Sequence, residues 1–149
     1  MRHLVMDKPQ CLLYSAAMVL GIDIEDITDI LGHDGMEKVD DQPSPCCYRG
    51  VHIQEIQTIA YRLGYLFAPV EVVPVSQRGT ELSPIYNISG MDYSIRFHMM
   101  TRHEKGIIFG PNARGNEHAV AFEDDTIYDP MGTKYPIGQY KVREAWVLR

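Results

Sequence analysis

Cysteine is scarce in this chain. Only three of its 149 residues are Cys (Cys11, Cys46 and Cys47), too few and too unevenly placed for a disulfide framework. Adjacent cysteines such as Cys46 and Cys47 rarely bridge, because the ring they would close is strained. An odd count fits a reducing, cytoplasmic setting in which free thiols are structural, reactive or metal-bound. Runs of basic residues are also missing. With 14 basic and 20 acidic side chains the formal net charge is −6, and no Lys/Arg cluster exceeds a residue or two. That excludes a general nucleic-acid binder, which needs a basic face against phosphates. No apolar run is long enough to cross a bilayer, and there is no internal repeat or low-complexity stretch. The most apolar segment, CLLYSAAMVL (residues 11–20), invites a signal-peptide reading. Asp7 in the would-be basic region and the acidic GIDIEDITDI that follows argue against it.

What is present is ordinary globular composition, 45% hydrophobic and 23% charged. A chain of this length usually forms one domain that buries about 68–70% of the surface its unfolded form exposes. A single domain over residues 1–149 is therefore expected, with no staples needed.

The first half reads as helices. Pro9 precedes CLLYSAAMVLG, a helix whose Leu12, Leu13, Ala16, Ala17, Val19 and Leu20 leave little polar face and which Gly21 ends. A second helix is predicted over 25–31, with Asp23 as N-cap and Gly32 as stop. Residues 33–50 carry Gly, Pro and Asp without a period and read as a loop. Ile53, Ile56, Ile59, Ala60 and Leu63 recur at three- and four-residue steps, predicting a third helix over 52–63 capped by Gly64. The texture then changes. Strands are predicted over 65–75, 107–109, 118–122, 126–129 and 145–148, while 76–105 is ambiguous. Helices first and strands afterwards predict an α+β domain in which N-terminal helices pack on a C-terminal antiparallel sheet.

Cys11 stands in the first turn of the central helix, just after Lys-Pro-Gln. A helix N-terminus carries roughly half a positive charge and favours a thiolate over a thiol. The plain alternative is a small apolar residue opening a buried helix. A base would decide between the two, and NEHAVAFEDDTIYDP supplies one. It reads as a hairpin turning at Asp124–Asp125. With Glu123 opposite Thr126, opposed residues sum to 249, so Val120 faces Asp129 and His118 faces Met131. His118 and Asp129 are then diagonal neighbours on one face, within side-chain reach. Pro130 holds Asp129 extended and stops the ladder. An imidazole oriented by a carboxylate is the base half of a nucleophilic triad.

The remaining candidates are weaker. Cys46 and Cys47, in SPCCYRG, lack the spacing of a zinc knuckle and read as surface or half-buried bystanders, so neither metal nor cofactor is expected. His33 and His52 read as solvated, and His98 and His103 fall in the ambiguous stretch. The segment GPNARGNEH lacks the Gly-Lys-Ser/Thr ending of a phosphate loop and reads as a mobile loop delivering His118.

These blocks resemble a family. CLLYSAAMVLGIDIEDITDILGHDG is similar to the opening of the double-glycine leader peptidases and their relatives in the papain-like cysteine peptidase superfamily. RGVHIQEIQTIAYRLGY is similar to their next helix, and EHAVAFEDDTIYDPMG to their His strand and Asp-Pro hairpin. In family order, the three cover roughly half the chain. The resemblance implies a papain-like fold, with Cys11 as nucleophile, His118 as general base and acid, and Asp129 orienting the imidazole. The substrate the resemblance implies is a peptide or protein with glycine-rich or small residues before the scissile bond. Two positions depart from the family pattern. Leu12 stands where a Gly usually follows the Cys, and Val5 stands where the family has its oxyanion Gln. Gln10 is the nearest replacement amide, and the Cys11 N–H is a second donor. Losing one oxyanion donor typically costs about 10²–10³ in rate. The expected activity is acyl transfer by a peptidase or isopeptidase, not coupled to export within the same polypeptide. The alternatives are a non-catalytic papain-like binding module and a Gln deamidase or transglutaminase using the same triad.

Overall fold

A computed structural model describes residues 1–70 and 97–149. Three helices come first: α1 (Cys11–Leu20), α2 (Ile24–Leu31) and α3 (Ile53–Arg62). Six strands follow: β1 (Phe67–Val70), β2 (Lys105–Pro111), β3 (Glu117–Glu123), β4 (Thr126–Tyr128), β5 (Lys134–Pro136) and β6 (Glu144–Leu148). The strands form one open antiparallel sheet in the order β1-β6-β2-β3-β4-β5. This is a mixed α+β architecture, as the order of helical and strand patterns predicts. Among the described residues no helix is long and apolar enough to cross a membrane.

The local signals explain the boundaries. Gly21 and Gly32 end α1 and α2 in left-handed conformation, each returning its N–H to the helix. His52 is the N-cap of α3, where its N–H donates to Glu55 Oε2 at 2.9 Å. Prediction and structure differ most in the strands. The strand predicted over 65–75 begins only at Phe67, because the Tyr65 N–H is used to close α3 on the Ala60 carbonyl, and its residues 71–75 lie outside the described ones. Of the ambiguous 76–105, residues 76–96 also lie outside them, 97–101 are helical, and Lys105 already belongs to β2.

Helix α1 is the centre of the molecule. Nine of its ten residues are buried, and it shares one apolar cluster with α2, α3 and the sheet face that carries Phe67, Ile107, Ala119, Ala121 and Leu148. The opposite face carries Val70, Ile108, Val120, Phe122, Ile127, Ala145 and Val147, packed under Phe97, Ile137, Tyr140 and Val142. This alternation is the period-two pattern of a sheet buried on both sides. It also explains the apolar run in β3. Where α1 crosses, β3 offers only Ala119 and Ala121, and α1 offers Ser15, Ala16 and Ala17. Small against small lets the helix lie close to the sheet. As a result the buried Ser15 hydroxyl reaches the Ala119 carbonyl at 3.1 Å.

That bond fills a gap in the ladder. Strand β4 pairs with β3 only from Tyr128 opposite Ala121 to Thr126 opposite Glu123. By parity with Glu123, Ala119 turns its N–H and C=O to the side where β4 has already ended. Removing the hydroxyl would strand a buried carbonyl. Ser15→Ala should therefore cost about 1–3 kcal/mol, read as a lower urea midpoint with an unchanged denaturant slope.

Candidate active site

The hairpin register is the one the sequence predicts. Glu123 faces Thr126, Phe122 faces Ile127 and Ala121 faces Tyr128. The turn residue Asp124 takes φ 54°, which Asp tolerates. Pro130 ends β4 one residue earlier than predicted, leaving Asp129 in a turn closed by the Gly132 N–H on the Asp129 carbonyl at 2.9 Å. The side chains of His118 and Asp129 meet, with His118 Nε2 2.8 Å from Asp129 Oδ1. A carboxylate only accepts, so Nε2 donates. Both residues are buried.

Cys11 approaches from the other side. Its Sγ accepts the Ala119 N–H at 3.4 Å, at the edge of β3 vacated by β4. Cys11 and the His118 ring line the same cleft, and the sulfur lies near enough to the imidazole to favour its charged form. Since Nε2 is held by Asp129, Nδ1 is the ring nitrogen that Asp129 leaves unengaged. The sheet places these groups on opposite faces, with Ala119 turned toward α1 and His118 sharing the face of Val120 and Phe122. They meet around the open edge of β3, which requires that β4 stop where it does.

Asp129 is held on every side. Oδ1 also accepts the Met131 N–H at 2.8 Å, and Oδ2 accepts the Tyr135 hydroxyl at 3.1 Å. Its carbonyl accepts from His3 Nε2 at 2.7 Å, and the Met6 N–H donates to the Pro130 carbonyl at 2.8 Å. Residues 3–6 thus strap the Asp-Pro turn. Beneath His118, the Tyr140 hydroxyl lies 3.1 Å from the His118 carbonyl and 3.3 Å from that of Gly110. Gly110 permits this approach, because a Cβ there would sit 1.9 Å from the Lys141 carbonyl oxygen. None of His3, Tyr135 and Tyr140 was singled out from sequence. The turn Asp129-Pro130-Met131-Gly132, with Pro second and Gly fourth, is a signal that locates β5 and with it Tyr135.

Gln10 does not reach this cluster. The amide is buried and turned toward the 33–50 segment, where Nε2 donates to the Gly35 carbonyl at 2.9 Å and contacts Met36 Sδ at 3.4 Å. Gly35 (φ 75°) is where the backbone comes close enough, since a Cβ there would lie 2.9 Å from Gln10 Oε1 and 2.8 Å from the Gly50 backbone. The network continues from the Gly35 N–H to His33 Nδ1 at 3.1 Å and from His33 Nε2 to Glu55 Oε1 at 2.8 Å. His33, read from sequence as solvated, is therefore a half-buried link between the N-termini of α1 and α3. Among the described residues nothing accepts the Cys11 N–H, which leaves it free at the helix start. Of the two thiols read as surface or half-buried, Cys46 is exposed and Cys47 is fully buried. His98 and His103 lie beside Asp125 and Asp124, away from the cluster.

A cleft of about 250 Å³ opens over Cys11 and His118, walled by Met6, Pro9, Pro45, Met131 and the β2–β3 turn at 112–117. That turn, read from sequence as a mobile loop, is laced by Asn112. Its Oδ1 accepts the N–H groups of Arg114 at 2.9 Å and Asn116 at 3.0 Å.

The electrostatics follow from burial and these bonds. Burial alone would push the His118 imidazolium down. The hydrogen bond to Asp129, with the influence of the neighbouring Cys11 and of the Asp129 charge, outweighs it and raises His118 to about 9. Burial would push the Asp129 carboxyl up, and the bonds from His118, the Met131 amide and Tyr135 hold it below the usual carboxylate range. Burial and the neighbouring Asp129 charge raise the Tyr135 phenol. Because the folded state binds the His118 proton more tightly than the ordinary value of 6.5, its stabilising contribution is complete below about pH 6.5 and lost as pH rises through about 9. The Asp129 contribution has the opposite sense and is lost as pH falls below 3.8. The His118 ring resonances should titrate near pH 9, and Asp129→Asn should move that midpoint toward 6.5. An Asp129→Asn midpoint still near 9 would refute this account. Compared with protein-family models, with curated proteins and with solved structures, the chain gives no significant match.

Proposed function

We propose that this protein is a cysteine-dependent acyl-transfer enzyme, a peptidase or isopeptidase in which Cys11, His118 and Asp129 act as a papain-like triad. The observation that carries the reading is one cleft lined by both Cys11 and His118, with the buried His118 ring held by Asp129 at 2.8 Å. Asp129 keeps Nε2 protonated and fixes the ring plane, and Nδ1 carries the proton given up by the thiol. The sulfur attacks the substrate carbonyl carbon, forming a C–S bond and an oxyanion that the free Cys11 N–H can bind at the positive end of α1. As the C–N bond breaks, Nδ1–H gives its proton to the leaving amine. Water, deprotonated by the same nitrogen, then attacks the thioester, releasing the acid and restoring the sulfur. A reducing, cytoplasmic setting suits such a thiol.

One observation favours a second reading, a binding module that keeps the scaffold without turnover. Gln10, the nearest side-chain amide, is bonded to Gly35 and Met36 instead of facing the cleft. A single backbone donor would serve the oxyanion, and one missing donor costs about 10²–10³ in rate.

Alkylation by iodoacetamide at pH 6, with mass-spectrometric mapping, tests the nucleophile. Cys46, exposed and without such a partner, is the internal reference. Cys11 should react at least about tenfold faster than Cys46, since an ordinary thiol of pKa about 8.5 is almost wholly protonated there. His118→Ala should abolish the difference. If Cys11 reacts no faster than Cys46, the enzyme reading fails. Ammonia release without chain cleavage from a glutamine peptide would instead identify a deamidase.

A further inference from the structure

We infer that the cleft over Cys11 is a subsite for a large apolar peptide side chain followed by a carboxylate, rather than for glycine. The inference rests on the proposed nucleophilic role of Cys11 and goes beyond it by naming what the site accepts. Part of the lining is hydrocarbon and thioether: Met6, Pro9, Pro45 and Met131. Met131 is 57% exposed and Val5, against Gly132, is 60% exposed, so the apolar lining runs out onto the rim. A cleft of about 250 Å³ is just below the range of about 300–1,000 Å³ typical of small-molecule pockets. It holds one or two residues of an extended peptide. A glycine segment would leave these walls wet, whereas a Leu, Met or Phe side chain would cover them, and methionine walls adapt to different apolar shapes.

Charge sets the second half of the preference. Glu117 on the cleft wall is paired with Arg143, and Lys8 nearby lies 3.4 Å from Asp34. Arg114, on the same wall, faces no carboxylate partner among the described residues. Its backbone is fixed by Asn112 Oδ1 at 2.9 Å, so the cation is presented from a rigid turn. A carboxylate beside the apolar residue would complete the charge pattern, and a lysine there would be repelled.

Two readouts test the inference and separate it from the catalytic reading. Peptide aldehydes or vinyl sulfones carrying Gly-Gly, Leu-Asp or Leu-Lys next to the electrophile would compete for Cys11, followed by mass spectrometry of the intact protein. The Leu-Asp probe should label about tenfold or more faster than Gly-Gly, the discrimination that a buried hydrocarbon group supplies, and faster than Leu-Lys at low salt. Met131→Asp should erase the first advantage and Arg114→Glu should reverse the second. Both side chains are exposed, so neither change threatens folding. In parallel, binding of the corresponding uncharged-terminus peptides to the Cys11→Ala protein, by NMR shifts of cleft residues, needs no chemistry. Leu-Asp binding with an unreactive Cys11 would retain the subsite and overturn the enzyme. Equal binding of Gly-Gly and Leu-Asp, or labelling of Cys11 without preference, would overturn the subsite.

Discussion

The Ala119 backbone, left without a strand partner, is the constraint on which the site depends. A buried N–H and C=O must be satisfied, and here helix α1 satisfies both with side chains one turn apart, Cys11 Sγ and Ser15 Oγ. A helix can do this only if it lies very close to the sheet, which explains alanine at 119 and 121 on β3 and Ser15, Ala16 and Ala17 on α1. It can do so only where β4 is absent, which explains Pro130 directly after Asp129. The same break that opens the edge also swings Asp129 out of the ladder and into a turn, where it can reach His118. One interruption in the sheet therefore fixes the positions of all three side chains.

Much of this was legible in the sequence because it rests on local rules. Period two in HAVAF and a two-residue Asp124–Asp125 turn determine which strand residues share a face, and the observed register follows from them. The caps at Gly21 and Gly32 and the nearly charge-free run after Cys11 likewise identify a buried helix from its own residues. What was not legible depends on partners distant in the chain. His3 and Asp129 are 126 residues apart, and nothing near either one announces their bond. Gln10 follows the same logic. Its neighbourhood to Cys11 in sequence suggested an oxyanion donor, but a side chain just before a helix can point either way, and Gly35, lacking a Cβ, offers its carbonyl at bonding distance. His33 was misjudged because a histidine after a glycine stop looks solvated until Glu55 of another helix is placed beside it.

The N-terminus of α1 is thereby held from two directions. On the sheet side, Cys11 and Ser15 bind the β3 edge. On the other side, Gln10, Gly35, His33 and Glu55 form a chain of bonds that ends at the first turn of α3. Neither set can shift without leaving a buried polar group unpaired, at a cost of about 1–3 kcal/mol each. Gln10 contributes by holding the helix start in place, and the free Cys11 N–H is then presented in a fixed direction without help from a side-chain amide.

The imidazole and the carboxylate sit at the opposite extreme of solvent exposure from a typical surface ion pair. His118 and Asp129 are buried, and burial alone would drive both toward their neutral forms. Each is instead held in its charged form by specific neighbours: the carboxylate by the Met131 amide and the Tyr135 hydroxyl, the imidazolium by its bond to that carboxylate and by the nearby Cys11. A buried pair of this kind is costly if any member is lost, because the survivor keeps its desolvation without its partner. That asymmetry accounts for the number of groups engaged on Asp129, including the strap through His3 and Met6. A lone surface hairpin with one histidine would need none of them. The density of support around the His118–Asp129 pair is thus itself an argument that its charge state, and not merely its packing, is what the surrounding structure maintains.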